Sequence, residues 1–232
     1  MDLTAVIAVR GGSTRVVNKN MRSFSDDCLL GIKIEQLKKV KEIDKIVVTS
    51  DSRKLLQIAE KHGAIPKIRP DKYCDEKSVS FNEVVKYISS MQVDTKYMIW
   101  APCVCPLVSE EYIRDGISLY KQQLDGRLAG EGVCTVTPFK EYLIDDNGPI
   151  NYSVERFVRS QDLPNWYYII NGFFIAETKQ MFDWGFIYGR NPLIYEIPKK
   201  DAYDIDDMTD FEIAEILYNR KMKKFRGGGT TN

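Results

Sequence analysis

Short, continuously apolar runs alternate with amphipathic stretches along the first 140 residues. Such runs are typical of strands buried on both faces, and they predict strands at 4–9, 45–50, 97–101 and 132–139. Apolar residues at helical spacing predict helices at 29–40, 52–64, 80–91 and 109–124. Strands separated by helices of this length indicate βαβ units, so the sequence predicts an α/β fold with a mostly parallel central sheet.

The alternation breaks between residues 140 and 165, a polar stretch interrupted by D-N-G-P, which predicts a hairpin or arm outside the main sheet. A strand with a glycine kink is predicted to resume at 167–177. An amphipathic helix follows at 210–225, and Thr209 and Glu212 fit a capping box at its start. We expect one domain over residues 1–225 and a flexible tail at 226–232.

Composition narrows the class of protein. Among 232 residues, 33 basic side chains balance 33 acidic ones, so net charge favours neither a nucleic-acid partner nor an anionic membrane. The first apolar run is too short for a signal peptide or a membrane span, and we expect a cytoplasmic protein. The five cysteines form no C-x-x-C pair and fit reduced structural thiols better than a metal site.

The loop after the first predicted strand, residues 10–19, is named the cationic loop here. Gly11 and Gly12 allow close approach of the backbone to an anion, and Arg10, Arg15 and Lys19 supply charge for several phosphates. The pattern is neither G-x-G-x-x-G nor a G-K-[ST] loop, so neither the dinucleotide nor the Walker A motif is present. A glycine turn with solvated cations fits the local pattern equally well.

A second candidate site lies in the segment D-A-Y-D-I-D-D-M-T-D near residue 205. Asp204 and Asp206 flank Ile205 at strand spacing, so both carboxylates are expected on one side. Paired carboxylates suit Mg²⁺, which completes its coordination with water and substrate phosphates. An acidic helix entry is the alternative reading of the same residues.

Four segments, in order, resemble the acylneuraminate cytidylyltransferases (CMP–sialic acid synthetases), within the wider group that includes the Kdo enzymes. The opening A-V-I-A-V-R-G-G-S-T-R-V-V-N-K-N is similar to their A-R-x-G-S-K-R-x-x-x-K-N motif. R-P-D-K-Y-C-D-E-K-S-V-S resembles their R-P…D…S segment, and R-S-Q-D-L-P…N-G-F-F-I their R-x-Q-D-L-P…N-G-A-x-Y-I segment. The segment D-I-D-D-M-T-D-F-E-I-A-E matches their D-I-D-x-x-x-D-x-x-x-A-E ending.

The resemblance implies a Rossmann-like nucleotidyltransferase fold, with helices on both faces of the sheet and a protruding dimerisation arm at about residues 140–165. It implies transfer of CMP from CTP to a 2-keto-3-deoxy sugar acid, with release of pyrophosphate and with Mg²⁺ as cofactor. The expected partners are CTP, an acidic sugar and a second copy of the chain. The residues that the resemblance implies for nucleotide binding are Arg10, Gly11, Gly12, Ser13, Asn20, Arg69 and Ser80, and those implied to act on the phosphates are Arg10, Arg15 and Lys19. It implies that Gln161, Asn171 and Arg159 bind the sugar and that Asp204 and Asp206 hold the metal.

Several positions depart from the motifs. Thr14 stands where the sialic-acid enzymes have lysine, and the Q-P-T-S-P-L-R segment is replaced by A-P-C-V-C-P-L-V. Arg159 is a candidate to replace a missing carboxylate-binding arginine, with a solvated charge as the alternative. The alternative functions are therefore nucleotidyl transfer to a different acceptor, or nucleotide binding without catalysis. A glycosyltransferase with a D-x-D metal motif is disfavoured.

Overall fold

The computed structural model describes residues 1–75, 77–92 and 94–227. Within these residues, the strands of the main sheet are β1 (Leu3–Ala8), β4 (Lys45–Ser50), β5 (Ile65–Ile68), β6 (Tyr97–Trp100), β7 (Val133–Phe139), β10 (Trp166–Glu177) and β11 (Leu193–Glu196). Two small hairpins are formed by β2 (Ser23–Phe24) with β3 (Asp27–Cys28) and by β8 (Ile144–Asp145) with β9 (Gly148–Pro149). The α-helices are α1 (Leu29–Lys38), α2 (Arg53–Lys61), α3 (Phe81–Ser90), α4 (Glu110–Leu124), α5 (Thr178–Trp184) and α6 (Met208–Gly227).

The main sheet has the strand order β11-β7-β10-β6-β1-β4-β5. All neighbouring strands are parallel except β10, which runs antiparallel to both β6 and β7. Two hydrophobic clusters lie on opposite faces: α1, α2, α4 and α6 contribute to one, and α3 and α5 to the other. This confirms the predicted α/β fold with a mostly parallel sheet between two layers of helices.

The alternating sequence pattern located most of the elements correctly. The four strands and four helices predicted before residue 140 are present, with ends that differ by at most three residues. Strands β5 and β11 and helix α5 were not predicted, because each is short and the two strands lie at the sheet edges, where one side of the ladder is unpaired. Pro66 fits this edge position, since a proline cannot donate to a neighbouring strand.

The start of α6 differs from the predicted capping box. Thr209 lies inside the helix, and the capping contacts are made by two aspartates instead. Asp207 Oδ1 accepts a hydrogen bond from the Asp210 N–H at 2.9 Å, and Asp210 Oδ2 accepts from the Asp207 N–H at 3.1 Å. The prediction of Thr209 and Glu212 was therefore wrong, because Asp207 offers an equally good cap two residues earlier.

The arm (residues 140–165) contains the β8–β9 hairpin, as the turn-rich sequence predicted. Rings of Tyr142, Tyr152 and Phe157 pack together, with centroids 5.0 Å apart for Tyr142 and Phe157. Several apolar side chains of the arm nevertheless face solvent in the single chain, and Phe157 is 67% exposed. At the other end of the chain, residues 226–227 complete α6, and the rest of the predicted tail, 228–232, lies outside the described residues.

Candidate functional site

A pocket of about 550 Å³ opens at the carboxyl ends of the parallel strands β1, β5 and β6. In open α/β sheets this edge is the usual place for ligands. Its wall combines the cationic loop with the segment between β5 and α3. The predicted residues that line it are Arg10, Ser13, Arg15, Lys19, Asn20, Arg69 and Ser80, together with Thr14.

The two glycines of the cationic loop do not line this pocket. The Gly11 N–H donates to Asp51 Oδ1 at 2.9 Å, and a Cβ at Gly11 would lie 3.1 Å from Ser52 Cβ. Glycine at position 11 therefore allows close packing against the segment after β4. The Gly11 amide, predicted to face an anion, must leave Asp51 before it can bind one.

Lys19 joins the cationic loop to the segment that carries the paired aspartates. It begins a short 3₁₀ helix whose preceding residue, Asn18, adopts a left-handed conformation with φ of 58°. Lys19 Nζ donates to the Ile205 carbonyl oxygen at 2.7 Å. Burial lowers the pKa of Lys19, and the charges of Asp204 and Asp206 partly offset this change.

Asp204 and Asp206 lie in the segment that leads into α6, outside any strand. Ile205 between them is fully buried in the core, so the prediction that it faces inward is confirmed. Its backbone is held on two sides, because the Ile205 N–H donates to the Val104 carbonyl at 3.0 Å and its own carbonyl accepts from Lys19. The position of the two carboxylates is thus fixed through the residue between them.

Each carboxylate makes a short polar contact with a neighbouring side chain. Asn171 Nδ2 donates to Asp204 Oδ2 at 2.6 Å, and Arg15 Nη2 lies 2.8 Å from Asp206 Oδ1. Burial raises the pKa of Asp204, the Asp206 charge adds to the increase, and the hydrogen bonds from Asn171 oppose it. The structure therefore brings Asn171, Arg15 and both aspartates together.

These carboxylates fit a hard divalent cation. Two negative charges two residues apart repel, and the charge of Asp206 adds to the rise that burial causes in the pKa of Asp204. In the part of the chain that the structure describes, no group of three or more His, Cys, Asp or Glu side chains is close enough to hold a metal. A donor set of one or two carboxylates, completed by water and phosphate, is the one that Mg²⁺ uses.

Arg69 and Ser80 line the pocket, and both also hold parts of its wall through hydrogen bonds. Arg69 is buried, with Nη2 donating to the Val9 carbonyl at 2.7 Å and Nε to Cys74 Sγ at 2.9 Å. Ser80 caps α3 through a capping box with Glu83. Arg69 therefore braces the end of β1 against the pocket wall, and Ser80 fixes the start of α3.

Asn171, Asp204 and Asp206 do not line the pocket themselves; the aspartate segment adjoins it, because Arg15 and Lys19, which line it, contact Asp206 and the Ile205 carbonyl. Two further predicted residues are not in the lining either. Arg159 and Gln161 lie on the arm, and neither lines the pocket of the single chain. Arg159 is 79% exposed and pairs with Asp162, with Nε 3.0 Å from Oδ2. Within one chain, Arg159 is therefore a solvated charge, which was the alternative to a role in binding the sugar carboxylate.

An aromatic part of the wall was missed by the sequence analysis. Phe81 and Trp100 meet edge to face with ring centroids 5.8 Å apart, and both line the pocket with Tyr73. Phe81 directly follows Ser80, but nothing in its own sequence pattern separates a pocket aromatic from a core residue. Asp51, which binds the cationic loop, was also missed, although its place after a strand was an available signal.

Comparison with known proteins gives sequence matches over most of the chain. The Cytidylyltransferase family matches residues 4–158. A pseudaminic acid cytidylyltransferase of Campylobacter jejuni is 26% identical over 94% of this chain and 97% of its own length. An N-acylneuraminate cytidylyltransferase of Escherichia coli is 27% identical over 96% of this chain and 53% of its own length.

Solved structures agree on the fold. A CMP:2-keto-3-deoxy-manno-octonic acid synthetase complexed with CTP superposes with a TM-score of 0.68 at 11% identity, over 94% of this chain and 99% of the other. A 4-diphosphocytidyl-2C-methyl-D-erythritol synthase from Anaerococcus prevotii gives a TM-score of 0.65 at 16% identity, over 94% and 96%. Among the described residues, no helix is both long and apolar enough to cross a membrane.

The family match covers about two thirds of the chain, and it includes the cationic loop and the residues from Arg69 to Ser80. The structural neighbours, at 11% and 16% identity, share the fold over 94% of the chain. The resemblance found in the four sequence segments is confirmed. The chain belongs to the cytidylyltransferase family.

Proposed function

We propose that this cytidylyltransferase activates a sialic-acid-like keto sugar acid, converting it and CTP into the CMP-sugar and pyrophosphate. The observation that carries the proposal is the cationic loop held against a carboxylate pair, through Lys19 to Ile205 at 2.7 Å and Arg15 to Asp206 at 2.8 Å. Cations for phosphates beside carboxylates for a metal are the parts that transfer at phosphorus requires.

The relatives support the class of acceptor. Curated proteins similar over nearly the whole chain are named for pseudaminic acid, N-acylneuraminate and N,N'-diacetyllegionaminic acid. The sequence differences from them exceed 70%, so the class of sugar is proposed here and its identity is left to the acceptor assay below.

In the proposed reaction, the anomeric hydroxyl oxygen of the sugar attacks the α-phosphorus of CTP. A new O–P bond forms, the bond from the α-phosphorus to the bridging oxygen breaks, and pyrophosphate leaves with that electron pair. The hydroxyl proton passes to solvent. Arg10, Arg15 and Lys19 orient the triphosphate and stabilise its charge, which is the main catalytic requirement of such a transfer.

Asp204 and Asp206 would hold Mg²⁺, with the remaining ligands supplied by water and the nucleotide phosphates. When bound, the ion would neutralise phosphate charge and polarise the α-phosphoryl group. Arg15 would then leave Asp206 and become available to the phosphates. Asn171, through its 2.6 Å hydrogen bond, would keep the Asp204 carboxylate oriented and present its amide to the sugar side.

We further propose that the protein acts as a homodimer through the arm. The arm exposes Ile144, Val154 and Phe157, each about two thirds or more accessible in the single chain. Exposed apolar patches of this kind commonly mark protein interfaces. In a dimer, Arg159 and Gln161 of one arm would reach the pocket of the other chain.

Isothermal titration of CTP, UTP, ATP and GTP tests the nucleotide, and pyrophosphate release tests the acceptor. We expect selective binding of CTP and turnover with at least one of pseudaminic, legionaminic and N-acetylneuraminic acid. Turnover should cease when the divalent cation is chelated and return when Mg²⁺ is added. Binding of CTP without turnover of any of these acids would contradict the proposed acceptor class.

The dimer is tested by light scattering on wild type and on two variants. Phe157→Glu puts a charge on the arm, whereas Phe182→Glu puts one on an exposed aromatic of α5, away from the arm. We expect a dimer for wild type and Phe182→Glu and a monomer with much reduced turnover for Phe157→Glu. A monomeric wild type that turns over normally would rule the proposed dimer out.

A second candidate is transfer of CMP to a different acceptor. The favouring observation is the likeness to a synthase named for 4-diphosphocytidyl-2C-methyl-D-erythritol, at a TM-score of 0.65. Arg159 and Gln161, the residues expected on the sugar side, also lie outside the pocket of the single chain. Adding methylerythritol 4-phosphate and Kdo to the same assay separates the two candidates.

A further inference from the structure

Lys33 is completely buried on α1, with 0% of its surface exposed. Lysine is almost never fully buried unless its nitrogen has specific partners, because burial of an ammonium group is costly. Neither phosphate binding nor metal binding, as described above, uses this side chain. Its contacts therefore identify what it holds.

Lys33 contacts one loop, residues 103–108, named the supporting loop here. Its Nζ lies 3.5 Å from the Cys105 carbonyl oxygen and 3.4 Å from the Val108 carbonyl oxygen. One helical turn further along the same face of α1, Gln36 Nε2 donates to the Pro106 carbonyl oxygen at 2.7 Å. Two side chains of α1 thus bind three carbonyl groups of the supporting loop.

The other side of the supporting loop contacts the functional site. The Val104 carbonyl accepts the Ile205 N–H at 3.0 Å, and Ile205 separates the two aspartates. The strand that carries Asn171 also packs against the supporting loop, because a Cβ at the next residue, Gly172, would lie 3.5 Å from Val108 Cγ1. The supporting loop therefore lies between Lys33 and the backbones that carry Asp204, Asp206 and Asn171.

Burial lowers the pKa of Lys33, which shifts the group toward its neutral amine. A neutral amine still donates N–H bonds to carbonyl oxygens and costs less to bury than an ammonium group. The side chain is thus suited to hold backbone carbonyls, and less suited to act as a permanent charge on the site.

We propose that Lys33, together with Gln36, is a positioning residue that holds the supporting loop and thereby places the Asp204–Asp206 pair and Asn171 against the cationic loop. This inference rests on the proposed function, since it assigns Lys33 a role through groups that bind a divalent cation and the sugar. Partners that orient metal ligands from a distance commonly change metal affinity by about 10- to 100-fold when they are removed.

The direction of the effect distinguishes positioning from direct electrostatics. A cationic Lys33 near the site repels a divalent ion, so removing its charge alone would tighten ion binding. Removing a positioning contact displaces the carboxylates and weakens ion binding. The two roles thus predict opposite changes.

The experiment compares Lys33→Met and Gln36→Met with the control Lys38→Met, an exposed lysine of the same helix whose Nζ pairs with Glu35 instead of the supporting loop. Mn²⁺ binding to the protein is measured by electron paramagnetic resonance, CTP binding by titration in EDTA, and KM for the acceptor by pyrophosphate release. Thermal unfolding establishes that each variant folds.

We expect Lys33→Met and Gln36→Met to weaken Mn²⁺ binding about tenfold or more and to raise the acceptor KM, with CTP binding in EDTA unchanged. Lys38→Met should match wild type in every measurement. Mn²⁺ binding that is unchanged or tighter in a folded Lys33→Met would overturn the proposal; if that variant does not fold, unchanged binding in Gln36→Met overturns it. If the proposed function itself is wrong, the wild type will show no Mn²⁺ binding or no turnover, and this outcome is distinct from a difference between the variants.

Discussion

The contact between Lys19 and the Ile205 carbonyl gives the most direct test of the site. Lys19→Met keeps the length of the side chain but removes its charge and its donor. The structure assigns Lys19 two tasks: the 2.7 Å bond that ties the cationic loop to the carboxylate segment, and a positive charge that faces the pocket. The substitution should therefore weaken nucleotide binding and also loosen the carboxylate segment.

The size of the effect follows from the type of bond. A hydrogen bond to a charged group contributes about 1.5–3 kcal/mol, so losing one phosphate contact should weaken CTP binding by about 10- to 150-fold. Fold stability should change less, since removing the lysine also removes the cost of its partial burial, which is what lowers its pKa. CTP titration and thermal unfolding measure the two effects separately.

Arg22→Met is the matched control. Arg22 is a nearby cation that lies over the Phe211 ring, 5.8 Å from its centroid, and it does not line the pocket. If binding depends on charge at the pocket wall, Lys19→Met loses affinity and Arg22→Met keeps it. Equal affinities for CTP in wild type and Lys19→Met, or equal losses in both variants, would refute the reasoning.

Three further outcomes are expected. Asp206→Asn should raise the Mg²⁺ concentration needed for half-maximal turnover by about 10-fold or more with an unchanged circular dichroism spectrum, and a wild-type Mg²⁺ titration would argue against the metal site. Because burial raises the pKa of Asp204, its ionised form destabilises the fold at neutral pH. At neutral pH, Asp204→Asn should therefore raise the Tm of the metal-free protein, by about 2–4 °C for each kcal/mol gained in unfolding free energy. The difference in Tm should vanish as the pH falls below the ordinary pKa of aspartate. A difference in Tm that grows as the pH falls would show that the pKa of Asp204 is shifted in the opposite direction. Gly116→Ala should cost about 1–3 kcal/mol of unfolding free energy, because its Cβ would clash with the buried Phe173 ring. Calorimetry should find partial recovery when Phe173→Leu is added, and undiminished stability of the single variant would contradict the packing.

Local chemistry explains what the sequence predicted well. Strands β1, β4, β6 and β7 are centred on short apolar runs, a pattern that arises from burial on both faces and can be recognised without knowledge of the partner strands. The cationic loop was located by the same reasoning, since its charges follow a buried strand and must therefore lie at its carboxyl end. The direction of β10 could not be found in this way, because parallel and antiparallel strands carry similar side chains.

The sequence by itself determined the fold class, the cationic loop and the pairing of Asp204 with Asp206 across a buried Ile205, because each depends on residues that are neighbours along the chain. Only the tertiary structure decided what those groups contact. Gly11 binds Asp51, Lys19 binds the Ile205 carbonyl, and Lys33 reaches the supporting loop, across separations of 40, 186 and about 70 residues. Contacts between distant segments depend on how the whole sheet and its helices pack, and no local pattern specifies that packing.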